Sequence, residues 1–433
     1  MALTGTRTFV GFGFGAIQSG LFLYEAFQSG AFRRLVVAEV MPDLVSAVRR
    51  TGGHCFISIA YQDHVEKAQI DSIEIENPAE VSDRQHLIDA IAEADEIGTA
   101  VPSVEYYVSE KPESVHCILA AGLCKKVECG GPRAVIYTAE NNNQAAEILE
   151  MRVLKHVPEE KREKVRSYVQ FLNTVIGKMS RMVSDPEEIK TYRLNTITLD
   201  YPRAFLVESF NKILISKIQF AKPFHRGITV FKEKDNLLPF EEAKLFGHNA
   251  THALMGYIGA LRGIRFVADM REIPGCVPFM RAAFIEESGE ALIRKHNGVD
   301  PLFTLEGYRE YADDLLERMM NPFLADTIER VTRDTKCKLG WNDRLVGTIR
   351  LALDLRVKPH RYAFGAAAAM ARLDRLFLDD EISAENMLDA LWNEASPAKH
   401  EKEIILNLIL NSRRELKDWH DSGFPDLEAF LKK

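Results

Sequence analysis

Residues 8–27 read TFVGFGFGAIQSGLFLYEAF, and the parsing of this stretch decides the fold. Its first part, TFVGFG at 8–13, is an apolar run ending in glycine, the pattern of a buried strand entering a turn. From Ala16 to Phe27 the apolar residues recur at helical spacing. Between the two, Gly11, Gly13 and Ala16 make G-x-G-x-x-A, with Gly15 offering a second register that overlaps at Gly13. The first glycine permits the tight turn, the second lets the backbone approach a pyrophosphate, and the small third residue lets helix and strand pack closely. The helix N-terminus then faces the anion. The next strand, LVVAEV at 35–40, carries Glu39 near its end, placed for the hydroxyls of an adenosine ribose. A carboxylate there repels a 2′-phosphate and favours NAD over NADP. Arg33 and Arg34 lie at the opposite end of that strand. The plainer alternative for Glu39 is a solvated strand-end charge.

Outward from this core the alternation continues. Strands are expected at 54–60 (HCFISIA), 70–76 (IDSIEIE), 96–101 (EIGTAV) and 134–140 (AVIYTAE), with helices across 42–50, 113–126 and 142–155. Apolar strands separated by helices predict a mostly parallel sheet covered on both faces, an α/β Rossmann-type domain assigned to 1–190. Helical patterns dominate thereafter: 241–261, 280–296, 305–320, 322–333, 342–356, 359–375, 382–394 and 398–418. RLNTITLD (193–200) and ISKIQFAKPF (215–224) read as strands or extended connections. The remainder, 191–433, is therefore expected to be a largely α-helical substrate and catalytic domain.

The 433 residues carry 55 Lys and Arg against 63 Asp and Glu, a net charge of −8. That balance argues against a protein that coats nucleic acid or an anionic membrane, while leaving room for a local basic pocket. No apolar stretch reaches the length of a membrane span, and the start lacks a signal-peptide pattern. Cys55, Cys117, Cys124, Cys129, Cys276 and Cys337 contain no C-x-x-C pair and read as reduced thiols. A cytoplasmic protein acting on a small molecule is the expectation, with protein partners left open.

The second chemical signal is FEEAKLFGHNATHALMGYIGALRG at 240–263. On a continuous α-helix, Lys244, Asn249 and His252 fall within an arc of about 140°, with Glu241 and His248 in or near it. A hydride-transfer alcohol dehydrogenase needs a base for the hydroxyl proton and donors for the developing oxyanion. A buried lysine near positive charge can be the base, and an amide can be a donor. The competing reading is a surface helix with a Glu241–Lys244 pair and a buried, hydrogen-bonded histidine.

Lys-x4-Asn-x2-His after an acidic doublet resembles the zinc-independent long-chain polyol dehydrogenases of the mannitol dehydrogenase superfamily. FVGFGFGAIQSGLF resembles their nucleotide turn, VVAEV their strand ending in the ribose acid, and IGTAVPS and YTAENN their later strand ends. NPFLADTIERVTRDTKCKLGWNDRL (321–345) is most similar to the branch acting on mannitol 1-phosphate. The resemblance implies a Rossmann-type domain, a helical domain and a site in the cleft between them. It implies that Gly11, Gly13, Gly15, Ala16, Glu39, Thr99 and Val101 serve NAD. It further implies Lys244 as general base in alcohol oxidation and general acid in ketone reduction. Asn249 with Asn141 would hold the oxyanion, His252 would orient substrate hydroxyls, and Glu241 would assist proton exit. Asn141 has an alternative as a helix cap at the start of 142–155. The family commonly carries an Asp-Arg pair where FLNTVIGKMSRMV has Gly177 and Lys178.

Arg330, Arg333, Lys336, Lys338 and Arg344 crowd one short stretch of an acidic chain. A sugar phosphate needs such charges. The competing reading is a helix end whose cations pair in part with Asp334 and Asp343. No metal is expected, because H-E-x-x-H is absent and Lys244 makes a metal-bound alcohol unnecessary. The expected reaction is therefore NAD-linked interconversion of mannitol 1-phosphate and fructose 6-phosphate. The alternatives are a free hexitol or hexonate substrate, or a non-catalytic NAD-binding regulatory protein.

Overall fold

The computed structural model describes residues 4–379 and 383–432. The chain divides into two compact units, Met1–Leu238 and Pro239–Lys433.

The strands of the first unit are β1 (Arg7–Phe12), β2 (Phe32–Ala38), β3 (Cys55–Ala60), β4 (Val65–Ile70), β5 (Ile73–Glu76), β6 (Glu96–Thr99), β7 (Ala134–Thr138), β8 (Val169–Val175), β9 (Ser180–Val183), β10 (Thr196–Thr198), β11 (Tyr201–Glu208), β12 (Leu214–Ser216) and β13 (Lys232–Lys234). The main sheet runs β13-β12-β8-β7-β6-β1-β2-β5. Its six strands from β5 to β8 are all parallel, in the doubly wound order whose direction reverses between β1 and β6. Side chains alternate across it. Phe9, Leu35 and Val37 enter one core layer, and Val10, Phe12, Val36 and Ala38 the other. Both faces are buried, as near-continuous apolar strands require.

A second sheet, β10-β11-β3-β4 with β9 on β11, packs into the first of these layers through Ile57, Ile59, Phe205 and Val207. HCFISIA therefore forms a strand as expected, but of this second sheet. Its antiparallel partner β4 and its parallel partner β11 lie outside the expected elements. β12 and β13 then extend the main sheet. The division between units consequently falls at Leu238 and Pro239, later than the expected 190: the chain from 191 to 238 pairs back onto the first unit's sheets.

The second unit is helical. Its centre is the helix 238–261, packed against His360–Leu373 so closely that Gly365 has no room for a Cβ beside Leu254. A long helix, Lys399–Asp421, also packs against His360–Leu373. The helix expected across 322–333 is instead two short turns, Pro322–Leu324 and Ile328–Val331. Ala325 breaks it by taking a left-handed φ of +46°. No helix among the described residues is long and apolar enough to cross a membrane.

Candidate active site

In the first unit the glycine turn sits where the doubly wound sheet reverses. β1 ends at Phe12, Gly13 takes φ +84°, and a helix begins at Ala16. Of the two possible registers, the chain adopts Gly11–Gly13–Ala16. Gly13 is required by its positive φ and by space, since a Cβ there would lie 2.7 Å from the carbonyl oxygen of Ala100. Gly11 is small for another reason: a Cβ would strike the buried side-chain amide of Gln18. Gly15 has open space around it.

Glu39 is buried, which removes the reading as a solvated charge. Its Oε2 accepts from Phe14 N at 2.9 Å and its Oε1 from Met41 N at 2.9 Å. The carboxylate thus ties the glycine turn to the loop after β2. Burial raises its pKa from the ordinary value, against the pull of these amides. Each oxygen keeps a lone pair for a hydroxyl donor. Arg34 is engaged at the far end of β2, on Glu74. A left-handed glycine, open backbone at Gly15 and a fixed acid at the next strand end together fit a dinucleotide.

Thr99 and Val101 are organised by a residue that sequence reasoning missed. Thr99 Oγ1 donates to Glu140 Oε2 at 3.0 Å, Val101 N donates to Oε1 at 2.9 Å, and the Tyr107 hydroxyl also donates to Oε2. The one signal in the sequence was an acid directly after a buried strand. Asn141 follows it and is exposed. The cap alternative for Asn141 does not hold: the helix begins at Ala145, and Asn173 of β8 accepts from Ala146 N at 2.9 Å. Lys178, where the family commonly has a charged pair, is buried and donates to the carbonyls of Glu208 and Phe210, fastening a loop.

In the second unit the Lys-Asn-His helix is not continuous α-helix. Ala243–Asn249 is a π-helical segment, between α-helical Leu238–Glu242 and Ala250–Leu261. In i→i+5 geometry residues five apart lie about one turn apart, so Lys244 and Asn249 fall nearer to one face than the about 140° of a straight α-helix. The wide turn is held by close packing: a Cβ on Gly247 would lie 2.5 Å from the Tyr308 hydroxyl and 2.8 Å from Phe284. Phe284 belongs to another π segment, Ala283–Gly289.

Lys244 is mostly buried. Burial first, then the charge of Arg344, push its ammonium down to about 8, while Glu241 pulls the other way. His248 is buried, and burial with the surrounding His252, Arg318, Lys244 and Arg344 holds it neutral. His252 Nε2 lies 3.1 Å from Asp326 Oδ2, within ion-pair range though off the line of an ideal hydrogen bond. Asp326 takes both arms of Arg330, each at 2.6 Å. Burial would raise the Asp326 carboxyl, but His252 and Arg330 outweigh it and hold it well below the usual range. Asp326 was invisible in the sequence because it meets His252 only through the tertiary fold.

The five cations of 330–344 do not converge. Arg330 is committed to Asp326, and Lys338 is buried with its ammonium on the Arg333 carbonyl. Arg333 and Lys336 are exposed. Arg344 is the one whose charge lowers the Lys244 ammonium, with its Nε 2.7 Å from Asp343 Oδ1. An open groove of about 640 Å³ in this unit lies at the opposite end of the catalytic-type helix, beside Gly263, Arg372 and Arg375.

Comparison with known proteins places this arrangement. The Rossmann domain of mannitol dehydrogenase matches residues 7–225, and the mannitol dehydrogenase C-terminal domain matches 236–421. The fold is shared with Pseudomonas fluorescens mannitol 2-dehydrogenase, solved as a ternary complex with NAD and D-mannitol. That protein is 18% identical, with 100% of this chain and 96% of that one covered and a TM-score of 0.70. It is shared too with a D-sorbitol dehydrogenase solved in substrate-free form, 14% identical over 97% of this chain and 94% of that one, TM-score 0.77. Fold and family domains define an oxidoreductase acting on a CH–OH group. The chain belongs to the mannitol dehydrogenase family and is an NAD-dependent polyol dehydrogenase.

Proposed function

We propose that the chain interconverts mannitol 1-phosphate and fructose 6-phosphate, with Lys244 as general base in oxidation and general acid in reduction. The observation that carries this reading is the ammonium of Lys244, held near about 8 by burial and by Arg344. A lysine so placed exchanges a proton near neutral pH, where a general acid–base group is most effective.

The turn Gly11–Ala16, with Glu39, would hold NAD, with Thr99 and Val101 beside it; bound NAD supplies the hydride acceptor. The lone pair of Lys244 Nζ takes the hydroxyl proton. The Asn249 amide, one π turn along, donates to the oxygen as negative charge develops. Asn141 is the first unit's candidate for a second donor. With Nε2 turned to Asp326, His252 keeps Nδ1 for a substrate hydroxyl. Glu241 offers the proton a path away from Lys244.

Arg344 supports an anionic substrate, because it is the cation of the 330–344 stretch whose charge is felt at Lys244. A second reading, a free hexitol or a hexonate, is favoured by Arg330 and Lys338 being engaged within the protein. NADH consumption with fructose 6-phosphate, fructose, fructuronate and tagaturonate side by side separates them. The phosphate reading expects fructose 6-phosphate to lead by at least tenfold in kcat/KM. Equal efficiency on fructose refutes it and moves the chain to the free-sugar reading.

A further inference from the structure

His116, Cys117 and His156 form a cluster in the first unit that the dehydrogenase chemistry does not use. Their ligand atoms all lie within 4.8 Å of one another, and Cys117 Sγ is 3.6 Å from His116 Nε2. The two imidazoles meet edge to face with centroids 4.3 Å apart. His116 opens the helix Val115–Cys129 and His156 closes the helix Ala145–His156, so the fold brings together residues forty apart in sequence.

The tautomers are set by what surrounds the rings. His116 Nδ1 is 2.8 Å from the carbonyl oxygen of Tyr107, and His156 Nδ1 is 3.2 Å from that of Arg152. A carbonyl can only accept, so each Nδ1 carries the hydrogen. Each neutral ring is thereby left with an Nε2 lone pair. Nδ1–H on a backbone carbonyl is also the outer-shell arrangement that orients metal-bound histidines. His116 is buried, Cys117 half-buried and His156 exposed, so one side of the cluster is fixed and the other is open.

We propose that His116, Cys117 and His156 bind a borderline-soft divalent ion, Zn²⁺ first, with water in the fourth position. Two imidazoles and one thiolate suit tetrahedral zinc, whose bonds of about 2.0–2.3 Å draw the three ligand atoms together around the ion. Binding forms two metal–nitrogen bonds and one metal–sulfur bond, and breaks the S–H bond of Cys117. One proton goes to solvent for each ion bound. The ion would clamp the ends of the two helices together and onto the Tyr107 turn. Tyr107 in turn donates its hydroxyl to Glu140. The cluster belongs to the first unit and Lys244 to the second.

Co²⁺ titration of the full chain tests it, in a Cys129→Ser, Cys337→Ser background that removes the exposed thiols. The expected result is one equivalent of Co²⁺ with a thiolate-to-metal band in the near ultraviolet and intense tetrahedral d–d bands. Displacement by Zn²⁺ should follow, with a raised thermal midpoint. Cys117→Ser should lose the charge-transfer band, and His156→Gln should weaken binding at least tenfold, each with unfolding of the metal-free protein unchanged. Absence of the band in the parent, or the same band in Cys117→Ser, overturns the proposal. Should Cys117→Ser fail to fold, His156→Gln decides alone: unchanged Co²⁺ affinity in it overturns the proposal.

Discussion

Lys244 is a residue whose burial is unfavourable to the fold and, on the proposed function, useful to the chemistry. In the unfolded chain its ammonium has the ordinary value of 10.5, and in the folded unit about 8. Below about pH 8 both states hold the proton, and the fold bears the whole penalty, about 3 kcal/mol. As pH rises from about 8 to 10.5 the folded state sheds its proton first and the penalty fades. Lys244→Met should therefore be more stable than the parent at pH 7 by up to about 3 kcal/mol in urea unfolding, an advantage that shrinks toward pH 10. A destabilised variant would contradict this account of the site. At Glu39 the effects run together. On the proposed function Glu39→Ser removes the ribose acceptor, and it also removes the partner of Phe14 N and Met41 N. It should narrow a preference for NAD over NADP of tenfold or more, about 1.4 kcal/mol, while lowering stability by about 1–3 kcal/mol. An unchanged cofactor ratio in steady-state kinetics would place the ribose elsewhere.

At the scale of elements, the π turn that runs from Ala243 to Asn249 has close packing behind it. Gly247→Ala should push the new methyl into the Tyr308 hydroxyl and Phe284, costing about 1–3 kcal/mol and lowering kcat by displacing the π turn. Tyr308→Phe removes the struck oxygen, so the double variant should recover part of both losses; additive losses in a double-mutant cycle would contradict the packing argument. The same helix shows what was legible in the sequence. Lys-x4-Asn-x2-His and G-x-G-x-x-A are local, so spacing alone was enough to find them. Nothing in 243–249 signals i→i+5 hydrogen bonding, and Phe284 and Tyr308, which pack on Gly247, come from helices distant in sequence. Glu140 and Asp326 were missed for the same reason: each acts through partners met only in the folded chain. The second sheet escaped because β9 and β10 are short and β3 and β11 pair across some 150 residues. The basic stretch 330–344 was read as one cluster, yet folding turns Arg330 to Asp326 and Lys338 to a carbonyl.

At the scale of the whole molecule, the chain carries both domains of the mannitol dehydrogenase family, the Rossmann domain over 7–225 and the C-terminal domain over 236–421. Arg344→Gln should raise KM for fructose 6-phosphate at least tenfold and spare any residual rate on fructose; equal losses on both would assign Arg344 to structure alone. Whether Lys244 is the acid–base group is tested most directly by kcat/KM for NAD-linked polyol oxidation between about pH 6 and about pH 10. The parent should rise through a single limb with its midpoint near about 8 and then level off. Arg344→Gln should move that midpoint up and Glu241→Gln should move it down, since the two charges act on Lys244 in opposite senses. Lys244→Ala should lose at least 100-fold and the limb with it, while still binding NADH. Near-parental activity in Lys244→Ala, with the limb intact, would contradict the account.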